Sequence, residues 1–139
     1  MLEIPRDVHA QMLDHARRGL PFEACGLLGG SAAGPAVNDV RTAKTFYPMK
    51  NVDRSPIHYA LDPKEQFLVM KKMRENKEEL VGIFHSHVAS PARPSAEDIR
   101  LAYYPGVSYI LVSLAKDPPD VKSYGIEEGK VSEEEIRIL

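Results

Sequence analysis

The residues best equipped for chemistry lie close together: His85-Ser86-His87, then, after seven intervening residues, Ser95 and, after two more, Asp98. Two imidazoles and a carboxylate make a three-ligand set for Zn2+. That set leaves a fourth tetrahedral position for water, the arrangement of catalytic rather than closed structural zinc sites. Hydrolysis is the chemistry that such an open position serves. Ser86, between the histidines, falls on the opposite face of a strand by period-two alternation and reads as structural.

The neighbouring sequence explains how these side chains could meet. Leu80-Val81-Gly82-Ile83-Phe84 is a short apolar, strand-like run, so the histidines fall near its C-terminal end. Residues two apart on a strand share a face with Cα atoms roughly 6.5–7 Å apart, near enough for both rings to reach one ion at about 2.0–2.1 Å. Pro91-Ala92-Arg93-Pro94 stiffens the next loop, because each proline fixes its own φ and restricts the residue before it. From Ser95 to Ala102 the chain looks like a helix start, with Ser95 as the cap and Asp98 as its acidic partner. Capping and ligation are compatible, since the helix dipole keeps a first-turn carboxylate ionised. With five histidines in 139 residues a His-x-His pair is expected about 0.2 times by composition, whereas the whole spaced set is expected less than about once in a thousand such chains.

His85-x-His87-x7-Ser95-x2-Asp98, with Pro21-Phe22-Glu23-Ala24-Cys25-Gly26-Leu27-Leu28-Gly29-Gly30 far upstream, resembles the JAMM motif of the MPN-plus metalloproteases, and no signature position is missing. The resemblance covers nearly the whole chain. It implies Zn2+ held by His85, His87 and Asp98. It also implies that Glu23, by itself a charge beside an apolar strand, is no ligand but a general acid/base acting on the metal's water. Ser95 is implied to donate a hydrogen bond to that water or to the developing oxyanion. The chemistry calls for such an acid: zinc lowers the pKa of water to around 7, and a nearby carboxylate can take that proton and deliver it to the departing amine.

Composition sets limits on the rest. At 139 residues, a single domain spanning 1–139 can bury roughly two-thirds of its unfolded surface and needs no crosslinks. The lone cysteine, Cys25, excludes an internal disulfide, fits a reducing compartment and reads as a small buried side chain. The longest apolar stretch, Tyr109 to Ala115, is far short of the ~20 residues that span a bilayer, and early charges at Glu3, Arg6 and Asp7 do not suit a signal peptide. A cytoplasmic protein with no membrane partner is expected. Net charge of −2 gives no general attraction for phosphate backbones, so nucleic acid is not an expected partner either. Lys71, Lys72, Arg74 and Lys77 are interleaved with Glu75, Glu78 and Glu79 as on a solvated helix face, and Glu133-Glu134-Glu135 reads as an exposed turn or edge.

Periodicity supplies the remaining elements. A strand at Leu2-Glu3-Ile4 precedes a helix marked by Val8, Met12 and Ala16 that ends near Gly19, with His9 and His15 on its surface. Strands follow at 24–29 and around 37–47. Asp62-Pro63-Lys64-Glu65 opens a helix whose buried stripe is Phe67, Met70 and Met73. Strands at 108–115 and 121–126 lead to a turn at Glu128-Gly129 and a last strand through Val131 and 136–138. The pattern is α/β. The resemblance implies its MPN-like, cytidine-deaminase-like form: a mixed, mainly antiparallel sheet or half-barrel flanked by helices. The long loop 48–61 carries Asn51, Ser55, His58 and Tyr59 where the resembled family has a substrate-facing insertion, and these four are the expected substrate-binding residues. An extended tail between this loop and the metal could add itself to a strand edge. His58 is not needed as a ligand, since Asp98 supplies the third position.

The resemblance thus implies a zinc peptidase cutting an amide or isopeptide bond beyond the C-terminal Gly-Gly tail of a ubiquitin-like or sulfur-carrier protein, acting as a monomer or small homo-oligomer. A glycine tail suits a narrow slot over a metal because it carries no side chains. Three alternatives stay open at this level: a non-catalytic MPN scaffold, a metal-binding interaction module, and a zinc deaminase. The deaminase is disfavoured, because it expects His-x-Glu followed by Pro-Cys-x-x-Cys.

Overall fold

The computed structural model describes residues 1–32 and 40–139. Among these, the apolar and amphipathic runs become β1 (Leu2–Ile4), α1 (Arg6–Gly19), β2 (Cys25–Ala32), β3 (Arg41–Met49), α2 (Pro63–Glu75), β4 (Glu79–His87), α3 (Ala96–Arg100), β5 (Ser108–Ser113), β6 (Asp120–Glu127), β7 (Lys130–Glu134) and β8 (Ile136–Ile138). The strands form a sheet in the order β7-β6-β5-β4-β2-β3-β1-β8. Both histidines ride on β4, in the middle of the sheet, antiparallel to β2 and parallel to β5. β1 is parallel to β3 and β8, while β2–β3, β5–β6 and β6–β7 are antiparallel. The sheet is therefore mixed and mainly antiparallel, as expected. β7 and β8 are consecutive in the chain yet stand at opposite ends of the strand order, so the sheet curls until its edges approach.

Alternation along the central strands creates two cores. On one face α1 lays Val8, Met12 and Ala16 against Leu28, Phe46, Phe84 and Ile110. On the other face Leu27, Met49, Ile83 and Leu111 pack with Met73 of α2. Every residue of β4 from Val81 to His87 is buried, and this fixes its register: a slip by one would swap the faces of Ile83 and Phe84 and turn the imidazoles toward α1. Gly30 sits at a bulge between β2 and β3, where a Cβ would lie 1.9 Å from the Thr42 carbonyl oxygen. No helix among the described residues is long and apolar enough to cross a membrane.

Several local expectations are revised. α2 is capped by Asp62, which accepts from the Lys64 N–H at 3.2 Å, but Glu65 accepts from the Lys50 N–H at 3.0 Å instead of returning to the cap. In the expected stripe Met73 is buried and Met70 partly so, whereas Phe67 is 63% exposed, because α2 meets the second core only from Val69 onward. His15 is not a surface residue: its ring packs edge-on against Phe46, and its Nε2–H donates to the Cys25 carbonyl at 2.9 Å. The expected last strand is two, because the chain leaves β6 at Glu134 and crosses to β1, where Leu2 N–H donates to the Glu135 carbonyl at 2.9 Å. Glu134 is consequently no exposed edge residue. Its carboxylate accepts from the Ser108 and Ser123 hydroxyls and faces Arg41 of β3 at 3.4 Å, tying the β7 edge to β3 across the curled sheet. The strand expected around 37–47 is seen from Arg41; its first part, including Val37, lies outside the described residues.

Candidate metal centre

β4 extends through the histidines, further than its apolar run alone suggested, and places His85 and His87 side by side with ring centroids 5.1 Å apart. The loop that follows is pinned. Pro91 offers its carbonyl to His87 Nδ1–H at 2.7 Å, and the carbonyl of buried Ala92 accepts from the Tyr124 hydroxyl at 2.6 Å. The loop then delivers Ser95 to the start of α3, a single short turn. There the Ser95 hydroxyl oxygen accepts from Asp98 N–H at 3.0 Å and the Asp98 carboxylate accepts from Ser95 N–H at 2.9 Å. This capping box aims Asp98 back over the end of β4.

The result is a convergence of electron-rich atoms. His87 Nε2 and His85 Nε2 lie 3.1 and 3.2 Å from the same oxygen, Asp98 Oδ2. Because Nδ1 of His87 carries the proton given to Pro91, a neutral His87 presents a lone pair at Nε2, aimed at a carboxylate that also only accepts. Such a contact needs a proton or a cation between the two groups. His85 approaches Asp98 off any hydrogen-bonding direction, and both of its ring nitrogens are buried with no hydrogen-bond partner. The three donor atoms lie within 4.8 Å of one another, so His85, His87 and Asp98 fit a metal ion. The backbone hydrogen bond on Nδ1 of His87 is the kind that orients a metal-binding imidazole.

Glu23 stands beside this cluster, two residues before the start of the β2–β4 pairing at Cys25. Ala24 is clipped to Ser86 twice, by its N–H to the Ser86 hydroxyl oxygen at 2.8 Å and by its carbonyl from the Ser86 N–H at 2.9 Å. Glu23 itself donates its N–H to the Ser55 carbonyl at 2.8 Å and accepts at its own carbonyl from Asn51 Nδ2 at 3.0 Å. Its side chain is buried, and Oε1 has no hydrogen-bond partner.

The electrostatics follow from burial and proximity. Burial pushes the Glu23 carboxyl up to about 7; the charge of His87 opposes this, and those of Asp98 and Glu97 add to it. Burial would also raise Asp98, but the two imidazoles and the Ser95 N–H overcome it and hold the carboxyl well below the usual carboxylate range. Burial lowers His85, favouring the neutral ring that a metal requires. Cys25 is fully buried and its thiol is pushed up to about 12 by burial and by Glu65 and Glu23, so it offers no nucleophile.

The family model for prokaryotic homologs of the JAB domain matches residues 5–127. The chain belongs to this family. Relatives within it include a CysO-cysteine peptidase of Mycobacterium tuberculosis, 41% identical over 141 residues that span 100% of this chain and 92% of that protein. A desampylase of Haloferax volcanii is 34% identical over 117 residues, 81% of this chain and 80% of that one. Among solved structures, a protein of Desulfitobacterium hafniense is 46% identical with a TM-score of 0.87, covering 100% of this chain and 93% of that chain. A JAB1/MPN domain protein of Archaeoglobus fulgidus, 24% identical with a TM-score of 0.63 over 99% of this chain and 98% of that chain, shares the fold. The MPN-like architecture expected from the sequence is thus the architecture observed.

Within this JAB-family fold the four loop residues divide. Asn51 spends its whole amide on the chain: Oδ1 accepts from Asp53 N–H and Ala60 N–H, and Nδ2 donates to the carbonyls of Glu23 and His58. Ser55 is likewise buried and turned inward, its hydroxyl oxygen accepting from Ile57 N–H at 3.1 Å. Both build the frame around Glu23. His58 faces Asp53 at 3.1 Å, and Tyr59 stacks on His85 with centroids 4.6 Å apart; these two line a cavity beside the metal centre. Sequence reading missed the part played by Ser86, since its partner Ala24 lies 62 residues away and the link is visible only once β2 is paired with β4.

Proposed function

We propose that this protein is a zinc peptidase of the JAMM type, hydrolysing an amide or isopeptide bond after the C-terminal Gly-Gly tail of a ubiquitin-like or sulfur-carrier protein. The observation that carries the reading is the convergence of two imidazole nitrogens on Asp98 Oδ2, at 3.1 and 3.2 Å, beside a buried and unpaired glutamate. His85, His87 and Asp98 would hold the ion, a donor set that suits Zn2+. When bound, zinc supplies a Lewis acid that polarises the scissile carbonyl and acidifies water. Glu23 handles the proton: with its carboxyl near 7 it can accept from the attacking water and deliver to the departing amine. The clips from Ser86, Ser55 and Asn51 fix the backbone from which that carboxylate extends. Ser95 uses its hydroxyl oxygen as an acceptor in the cap, so its proton is free to meet the developing oxyanion. The names of the relatives, a CysO-cysteine peptidase and a desampylase, support this substrate class. Residues 1–139 act as one domain, and an unpaired, buried Cys25 suits the reducing cytoplasm.

Zinc content measured beside cleavage of a Gly-Gly fusion tests the reading. Wild-type protein should carry zinc and release the group attached to the second glycine. Glu23→Gln should keep zinc and lose turnover, and Asp98→Asn or His87→Ala should lose both. Zinc-loaded protein that leaves every Gly-Gly fusion intact would refute the proposal.

A further inference from the structure

The two imidazoles of the metal centre are held in different ways. His87 gives its Nδ1–H to the Pro91 carbonyl at 2.7 Å, the usual contact that fixes a metal-binding ring from behind. His85 has no such contact, since neither of its ring nitrogens has a hydrogen-bond partner. The torsion that turns an imidazole has broad wells, so a ring without a hydrogen bond must be aimed by packing. Tyr59 supplies that packing. Its ring stacks on His85 with centroids 4.6 Å apart and planes 25° from parallel, whereas His87 meets His85 edge-on at 60°.

Tyr59 is itself gripped on both sides. Asn51 Oδ1 accepts from the Ala60 N–H at 3.1 Å, Asn51 Nδ2 donates to the His58 carbonyl at 3.0 Å, and the Val52 N–H donates to the Ala60 carbonyl at 3.1 Å. Asn51 also pairs with Leu61 in an isolated bridge. The same Nδ2 reaches the Glu23 carbonyl at 3.0 Å. One buried amide therefore joins the backbone that carries the Tyr59 ring to the backbone that carries Glu23.

We propose that Tyr59 is a positioning residue for the metal centre: its ring, stacked on His85, does for that ligand what the Pro91 carbonyl does for His87. The inference rests on the zinc reading of the site and adds the group that aims the imidazole left without a hydrogen bond. The flat face matters and the hydroxyl does not. Losing the partner that orients a metal-binding histidine costs about 10–100-fold in metal affinity, and an aromatic pair alone is worth roughly 2–10-fold, so about tenfold is expected for removing the ring.

Zinc affinity is measured by competition with a chromophoric chelator for wild type, Tyr59→Phe and Tyr59→Leu, beside the Tm of each metal-free protein. Tyr59→Phe should bind zinc within about twofold of wild type, and Tyr59→Leu, which keeps apolar bulk without a flat face, about tenfold more weakly. Zinc should also induce a near-UV tyrosine difference spectrum in the wild type that Tyr59→Phe lacks. Should Tyr59→Leu fail to fold, that spectrum decides alone. A lowered metal-free Tm in Tyr59→Leu with unchanged zinc affinity marks the ring as purely structural and overturns the proposal, as does a difference spectrum that Tyr59→Phe leaves unaltered; either result leaves the peptidase reading standing. Tyr59→Phe binding as weakly as Tyr59→Leu would assign the effect to the hydroxyl and overturns it too. No zinc uptake by the wild type overturns both readings.

Discussion

At the two ends of β4 the protein buries a carboxylate among ring-bearing side chains, and it completes only one of the two clusters. At the start of the strand Glu78, 9% exposed, accepts from the Thr45 hydroxyl at 2.6 Å and from the Tyr47 hydroxyl, and Asn76 Nδ2 donates to that Tyr47 oxygen at 3.1 Å. At the other end Glu23 Oε1 and both ring nitrogens of His85 are buried with no hydrogen-bond partner from the chain. A buried polar atom left unpaired costs about 1–3 kcal/mol. The first cluster is what stability alone selects; in the proposed function the second keeps its cost because those atoms serve a metal and a proton. Which carboxylate is structural and which is chemical is decided by hydrogen-bond partners, not by burial.

The contrast can be broken at either end. The largest effect belongs to Glu23→Gln, which should lower kcat by about 10²–10⁴ while zinc content stays at the wild-type level, measured by metal analysis and steady-state kinetics. Ser95→Ala should lower kcat by on the order of 10²–10³ with zinc again retained; loss of zinc in this variant would mean that the capping box, rather than an oxyanion contact, is its main contribution. Metal-free stability sharpens the comparison through pH. Burial holds the Glu23 carboxyl at about 7 in the folded protein, above the ordinary glutamate value, so its contribution is full at low pH and is lost as pH rises through that window. Metal-free Glu23→Gln should therefore gain on the wild type by on the order of 2 kcal/mol between pH 4.5 and 7.5 in denaturant titrations. An advantage that does not change with pH would contradict the buried, unpaired carboxyl. At the opposite end Glu78→Gln should cost about 1–3 kcal/mol of unfolding free energy and leave the kcat of the folded fraction unaltered.

Much of this was legible in the sequence, for reasons that differ by residue. The spacing of His85 and His87 on a strand, and of Ser95 and Asp98 in a first helical turn, encodes local geometry directly, so both halves of the cluster could be read before they were seen to meet. Tertiary hydrogen bonds leave no such periodic trace. Ser86 looked structural because its side chain leaves the imidazole face, yet it is the clip that aligns the Glu23 segment. Asn51 and Ser55 were expected as substrate contacts because they sit in a long loop, whereas the Asn51 amide is spent within the chain and the Ser55 carbonyl holds the Glu23 backbone. Phe67 fell on a helical apolar stripe, but a stripe says nothing of how far along the helix the core extends. Glu134, inside an acidic run, found hydroxyl and arginine partners that only the curling of the sheet supplies.

The most direct test of the central claim is calorimetric titration of zinc into metal-free wild type and into Asp98→Asn. One site per chain in the wild type, accompanied by a rise in Tm and abolished in the variant, is the predicted result. No uptake by the wild type, or equal affinity in the variant, would contradict the account of His85, His87 and Asp98 as a metal centre.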